Sequence, residues 1–299
     1  MSDTFYKDRD GNIISGDATP SGFLEFAYNT VPGRLALNIL IRPAFSNLVR
    51  AFLKSPLSTL MIDGFIKKSN ISLKDCVPCR YPSFNDFFIR ELKPGKRTVE
   101  RDHRLLASPC DGKVTVARID DDLELSIKGS KYTVTSLLRD DVLAADFFGG
   151  WAVVLRLTAD DYHHYCYPDD GHKGGNIFIP GVLHTVSPTA TDHIRVFREN
   201  QREYTVLDSL HFGRIVQMEI GAMCVGRIVN LHGERAVKRG TEKGRFEFGG
   251  STIVLLLQNG CFTPDEDLIA NSAEGIETVV KLGERIGYNE EYQGGHSKR

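Results

Sequence analysis

The sequence predicts an α+β fold, with an N-terminal helical segment facing a membrane followed by a β-rich, mainly antiparallel domain. Three observations predict it. From Ser21 to about Asn70 apolar residues recur at helical spacing. After Arg101 the pattern changes to short apolar runs between Gly, Pro and Asp turns. The basic residues of the first segment stand beside its apolar ones, an arrangement suited to a bilayer surface.

Composition narrows the class. The chain has 299 residues, 41% hydrophobic and 25% charged, with a formal net charge of -2. That is ordinary globular composition. No basic field points to nucleic acid as a partner. Met1 to Gly22 is polar and reads as no secretory signal. No run of about 18 apolar residues is present, so no spanning helix is expected. The six cysteines are expected to be free thiols in a reducing compartment. Cys76-Val-Pro-Cys79 lacks a second pair or a matching histidine spacing, so no metal is expected.

Residues 1–20 read as a loose polar arm. Three helical stretches follow, broken at Pro32, Pro43 and Pro56, with Arg34, Arg42, Arg50, Lys54, Lys67 and Lys68 among them. The alternative is a helical subdomain packed on the core. Tyr81 to Gly95 reads as one helix, with Ser83 as its cap, Asp86 in its first turn and Pro94-Gly95 as its stop. Strands are expected at Gly112–Ala117, Leu123–Ile127, Trp151–Leu157, Asn176–Ile179, Ile215–Ile220, Met223–Val229 and Ser251–Leu257. Residues 133–147 read as one short helix, and 271–287 as a terminal segment with another.

Chemistry concentrates at a few places. Gly249-Gly250-Ser251-Thr252 opens an apolar, β-branched run. Its plain reading is a turn feeding a buried strand. It is not a GxSxG elbow, because a strand and not a helix follows. A serine after glycine has another option. Its hydroxyl can attack the preceding carbonyl, which glycine leaves sterically open, and turn the peptide into an ester. Loss of the serine α-proton then expels the ester. The resulting dehydroalanine tautomerises and hydrolyses to a pyruvoyl group, leaving a cut chain with a ketone that condenses with amines.

Asp160-Asp161-Tyr162-His163-His164-Tyr165-Cys166-Tyr167 reads as a rim loop rich in acid and base groups, or as exposed titrating histidines. On an extended segment adjacent side chains point oppositely, so His163 and His164 need not share a role. Asp111-Gly112 is a hairpin signal, or an aspartate that orients a neighbouring histidine or serine. His184 follows the Pro180-Gly181 turn; it reads as structural, as do His193, His211 and His232.

Four stretches, in order, resemble the phosphatidylserine decarboxylases. They are Phe84-Asn-Asp-Phe-Phe-Ile-Arg-Glu-Leu-Lys-Pro-Gly95, Ser108-Pro-Cys-Asp-Gly112, Asp161-Tyr-His163 and Gly244-Arg-Phe-Glu-Phe-Gly-Gly-Ser-Thr252. The last has Gly-Gly-Ser-Thr where that family usually has Leu-Gly-Ser-Thr. The resemblance implies a proenzyme that cuts itself between Gly250 and Ser251. A β chain of residues 1–250 and an α chain headed by a pyruvoyl group made from Ser251 would result. That covalent pyruvate would form a Schiff base with phosphatidylserine, release carbon dioxide and give phosphatidylethanolamine.

Asp111, a histidine of the 163–166 stretch and Ser251 would form the set that drives self-cleavage. His163 would position the substrate carboxylate or reprotonate the carbanion. The family's second histidine is Cys166 here, which leaves His163, His164, Cys166 or His184 as the self-cleavage base. The resemblance also implies a membrane-associating region over residues 1–80 and a catalytic domain over 81–299. A dimer of the two-chain unit, held peripherally on the cytoplasmic face of a bacterial inner membrane, is expected. Two other functions fit less of the sequence: a pyruvoyl decarboxylase of a free amino acid, and a non-catalytic lipid-binding homologue.

Overall fold

A computed structural model describes residues 4–16, 43–128, 130–184, 197–221, 227–248 and 251–289. The fold is α+β and mostly β. Its centre is an 11-stranded sheet. Along its main path the strands run Arg235–Val237, Gly171–Lys173, Arg202–Ser209, Arg214–Ile220, Ser251–Leu257, Trp151–Leu157, Gly112–Arg118, Glu277–Val280, Thr4–Lys7 and Ile13–Gly16. Ile177–Ile179 also pairs with Arg202–Ser209. The pairings are antiparallel except that of Thr4–Lys7 with Glu277–Val280.

The Ser251–Leu257 strand is buried at every position, because both faces of the sheet are covered. That explains its unbroken apolar run. Ile253, Leu255 and Leu257 enter one core cluster, with Val153, Leu155 and Leu157 of the neighbouring strand. Tyr165 and Phe246 cover that face from a three-stranded sheet made of Ile228–Asn230, Glu242–Phe246 and His164–Cys166. Val254 and Leu256 point the other way, into a second cluster. There they meet Leu137 and Leu138 of the Val134–Leu138 helix, and Leu125, Ile127 and Tyr132 of a small hairpin.

The N-terminal helices are Pro43–Leu53, a 3-10 turn at Pro56–Met61, and Ile62–Lys68. They pack through Leu53, Phe65 and Ile66 against Phe84 and Phe87. The expected helical pattern upstream of Pro43 lies outside the described residues. No helix among the described residues is long and apolar enough to cross a membrane.

Several expectations need correction. Within the arm expected at residues 1–20, the described residues 4–16 are not loose: Thr4–Lys7 and Ile13–Gly16 form a hairpin that extends the main sheet. Arg9 ties it down by donating to Asp265 and Asp267, both at 2.7 Å. The 81–95 helix is only Phe84–Phe88. Ser83 does cap it, accepting from the Asp86 amide at 3.2 Å. The chain then leaves helical geometry, so that Leu92 bridges to Cys76 and Arg90 turns inward. Residues 133–147 hold two helices, Val134–Leu138 and Asp141–Ala145, parted by Arg139 at φ 53°. The terminal helix lies earlier, at Glu266–Ala273, and 277–288 supplies strands. Asp111-Gly112 is no hairpin tip, because Leu105–Ala107 pairs with Arg285–Tyr288 rather than with Gly112–Arg118.

Candidate active site

Strand direction brings three predicted residues to one end of the sheet. Gly112–Arg118, Trp151–Leu157 and Ser251–Leu257 are antiparallel neighbours. Lys113 pairs with Arg156, and Ser251 pairs with Leu157. The starts of the two outer strands therefore lie beside the end of the middle one. Asp111 precedes the first strand, the segment bearing His163 leaves the second, and Ser251 opens the third. Ser251 is buried, on the same face as Ile253. Gly250, on the other side of the expected cut, lies outside the described residues.

Asp111 is buried, and its carboxylate is fully engaged. Arg97 grips it as a fork, Nε donating to Oδ1 at 2.7 Å and Nη2 to Oδ2. The Leu282 amide donates to Oδ1 at 2.8 Å, and Lys281 Nζ stands 3.7 Å from Oδ2. A buried carboxylate needs such partners. None of its hydrogen bonds goes to His163, His164 or Cys166.

The segment after Leu157 starts with a tight turn. Asp161 accepts from the Thr158 amide at 2.7 Å and from Lys113 Nζ at 2.7 Å. The Asp161 amide in turn donates to the Thr158 carbonyl at 3.0 Å, which closes the turn. His163 follows, buried, its ring 3.9 Å from that of Phe88. Its Nδ1 has no hydrogen-bond partner among the described residues. Burial, with the nearby Arg90 charge, pushes the imidazole down to about 3, so it is neutral at physiological pH.

His164 is not on a rim loop. It opens a buried strand. Both ring nitrogens are taken, Nδ1 by Glu242 Oε1 at 2.8 Å and Nε2 by the Ile89 carbonyl at 3.0 Å. The histidine hydrogen bond holds the Glu242 carboxyl below its ordinary range. Cys166 is buried in the same strand, and burial pushes its thiol up to about 12. Its Sγ makes a long contact, 4.0 Å, to the Ser108 carbonyl. His184 ends the short Val182–His184 strand, and its side chain is outside what the structure describes.

Residues 246–248, ahead of the expected cut, are each held. The Phe246 amide donates to the His163 carbonyl at 2.9 Å, and the Glu247 amide to the Arg227 carbonyl at 2.9 Å. Glu247 Oε1 meets Lys54 Nζ at 3.0 Å. The Phe248 amide reaches Asn85 Oδ1 at 3.4 Å. The Phe248 ring stands 5.1 Å from both Phe84 and Phe88 and 6.3 Å from Phe65. Such edge-on pairs suit the ring quadrupoles. Phe88 touches both this ring and His163, so one aromatic cluster joins the helices, the histidine and the chain before Ser251.

A family model for phosphatidylserine decarboxylase matches residues 84–288. The chain belongs to the phosphatidylserine decarboxylase family. Relatives named phosphatidylserine decarboxylase proenzyme cover most of its length. "Proenzyme 2" of Clostridium acetobutylicum is 43% identical over 268 residues, 89% of this chain and 92% of that protein. The protein of Ruminiclostridium cellulolyticum is 38% identical over 271 residues, 88% and 90% of the two chains. That of Fusobacterium nucleatum is 35% identical over 286 residues, 93% and 94% of the two chains.

Within this family member, sequence reasoning had assigned no part to Arg90, Arg97, Asn85 or the Lys54–Glu247 pair. The one available signal was Arg90 itself, a charge directly after the apolar Phe87-Phe88-Ile89 run.

Proposed function

We propose that the chain is a phosphatidylserine decarboxylase proenzyme that cuts itself between Gly250 and Ser251. The observation that carries this reading is the contrast around Ser251. It heads the buried central strand, while the three residues 246–248 before the cut are each tied to a different part of the molecule. Such tethering suits an intramolecular acyl shift, whose rate depends on a held attack geometry. The serine oxygen attacks the Gly250 carbonyl carbon, the peptide nitrogen takes a proton, and an ester replaces the amide.

The residues fit a pyruvoyl group at position 251. Two buried polar atoms, His163 Nδ1 and Arg90 Nη1, have no hydrogen-bond partner among the described residues, which leaves them available to such a group and its substrate. A ketone there supplies an electron sink for a substrate amine. His163, neutral and unbonded at Nδ1, is the group we assign to proton transfer, both in self-cleavage and at the substrate. His164 is poorly suited because both its nitrogens are occupied, and Cys166 because it stays a thiol. Asp111 acts at a distance, locking Arg97 and the 281–282 backbone around this end of the sheet.

The lipid would be met through the N-terminal helices, the membrane-facing part of the 1–80 region. Leu48, Phe52, Leu57, Leu60 and Met61 are exposed there, and Leu60 is 85% accessible. Arg50, Lys67 and Lys68 stand on the same helices. An apolar patch with basic neighbours favours a peripheral site on an anionic leaflet. This patch favours a phospholipid over a free amino acid as substrate. Free thiols at Cys76, Cys79, Cys110, Cys166 and Cys261 support a cytoplasmic face.

Intact mass of the purified protein tests the reading. Two chains split before residue 251 are expected, the smaller one blocked at its N-terminus and reactive to carbonyl reagents. Ser251→Ala should stay uncut and inactive. A wild-type chain that remains whole under native conditions would sink the mechanism.

A further inference from the structure

Among the described residues no carboxylate pairs with Arg90. Its side chain is buried, 5% exposed. Two hydrogen bonds leave from Nη2, to the carbonyls of Asp160 at 2.8 Å and Asp161 at 3.0 Å. Neither partner is a carboxylate. Nη1 is buried and has no hydrogen-bond partner among the described residues. The guanidinium also lies over the Phe87 ring, 5.5 Å from its centre. A buried cation left in this state is unfavourable. Backbone carbonyls fix the orientation of the fork, and one donor edge is left over.

The position of that edge is informative. Arg90 stands two residues after Phe88, whose ring touches both His163 and Phe248. Its charge is felt at His163. The spare donor therefore belongs to the neighbourhood of the proposed reaction.

We infer that Arg90 Nη1 holds the phosphodiester of the phospholipid headgroup, which rests on the reading under Proposed function. An oxyanion is what a spare guanidinium edge binds, with charge-assisted geometry. A phospholipid with a serine headgroup offers two, the carboxylate and the phosphodiester. The carboxylate leaves as carbon dioxide and loses its charge. A cation fixed on it would stabilise the ground state more than the transition state, which opposes catalysis. The phosphodiester keeps its charge throughout, so holding it stabilises both states and costs the reaction nothing.

A consequence follows for His163. The charged groups that act on it are Arg90, Asp160 and His164. An anion at Nη1 offsets the Arg90 field, so substrate binding raises the proton affinity of the His163 ring. The ring becomes a better base when a headgroup is present.

The test reads binding. Calorimetry on the mature protein would compare glycerophosphoethanolamine, which has the phosphodiester and no carboxylate, with free serine, which has the reverse. Arg90→Met should weaken glycerophosphoethanolamine about tenfold or more and leave serine unchanged. Arg90→Lys, which keeps the charge but loses the fork, should fall between. Adding glycerophosphoethanolamine to the wild type should raise the pH at which the His163 ring resonances titrate, a change that a purely structural arginine would not produce. Weakened serine with unchanged glycerophosphoethanolamine would move Arg90 to the carboxylate and overturn the inference. Equal binding of both ligands to wild type and Arg90→Lys would overturn it too, even if Arg90→Met failed to fold. The intact-mass experiment decides the decarboxylase reading separately.

Discussion

Lys54 Nζ and Glu247 Oε1 meet at 3.0 Å, which ties the end of the Pro43–Leu53 helix to the chain just before Ser251. The lysine is 41% exposed and the glutamate 9%. A pair this open contributes about 0–1 kcal/mol to stability. Its weight lies in where it holds Glu247.

Removing that hold is expected to slow self-cleavage without unfolding the protein. Lys54→Met and Glu247→Gln should each lengthen the half-time of chain cutting about tenfold, since small misplacements cost intramolecular reactions heavily. Lys54→Arg should cut near the wild-type rate. A mass-spectrometric time course on freshly made protein measures this. Unchanged half-times in both neutral variants would discount the tether.

Cys166 should be dispensable for cutting. Burial pushes its thiol up to about 12, so almost no thiolate exists at neutral pH. Cys166→Ala is expected to yield two chains at the wild-type rate. A stalled, uncut Cys166→Ala that still folds would return the cysteine to the candidate bases.

His163 should leave a pH signature in stability. Its folded value lies near 3 against an ordinary 6.5. Between those values the unfolded state binds the extra proton, so stability rises with pH across that window. On the acid side it is progressively lost. Denaturant titrations from pH 4 to pH 7, roughly, should show a flatter slope in His163→Phe than in wild type. Parallel slopes would contradict the neutral, buried ring.

The Glu219–Lys243 pair should be structurally critical. The two charges meet at 2.6 Å, both fully buried. Burial pushes the Glu219 carboxyl up and the Lys243 amine down, so each depends on the other. Lys243→Met should cost about 3–5 kcal/mol by stranding the carboxylate. The double variant with Glu219→Met should recover much of that. Chemical denaturation measures both, and a double variant no better than the single would refute the coupling.

The exposed helical patch should bind membranes. Leu57 and Leu60 are 70% and 85% accessible, so Leu57→Asp and Leu60→Asp should leave the fold intact. Each buried leucine contributes about 1.5–3 kcal/mol to an apolar surface. Sedimentation with phosphatidylserine vesicles should therefore lose the double variant to the supernatant. Equal pelleting would remove this patch as the docking face.

Much of this molecule is legible in the linear chain because its signals are local. Trp151–Leu157 and Ser251–Leu257 were expected at those bounds, since a central strand covered on both faces must be apolar throughout. The Ser83 cap was legible for the same reason, as donor and acceptor stand three residues apart. Where partners are distant, the reading failed. The polar arm at 4–16 is a sheet strand pair because Arg9 finds Asp265 and Asp267 more than 250 residues away. His164 reads as a surface base until Glu242 and Ile89 close on its two nitrogens.

The family, and with it the expectation that Ser251 is the reactive residue, come from the order of short motifs, because chemistry at a Gly-Ser bond needs only neighbours in sequence. Which groups can serve that serine is a different matter. Burial made His163 neutral, kept Cys166 a thiol and left Arg90 with a spare donor. Arg97 took the Asp111 carboxylate away from any histidine. Proton affinity and pairing depend on what lies within a few ångströms in space, so only the folded chain decides them.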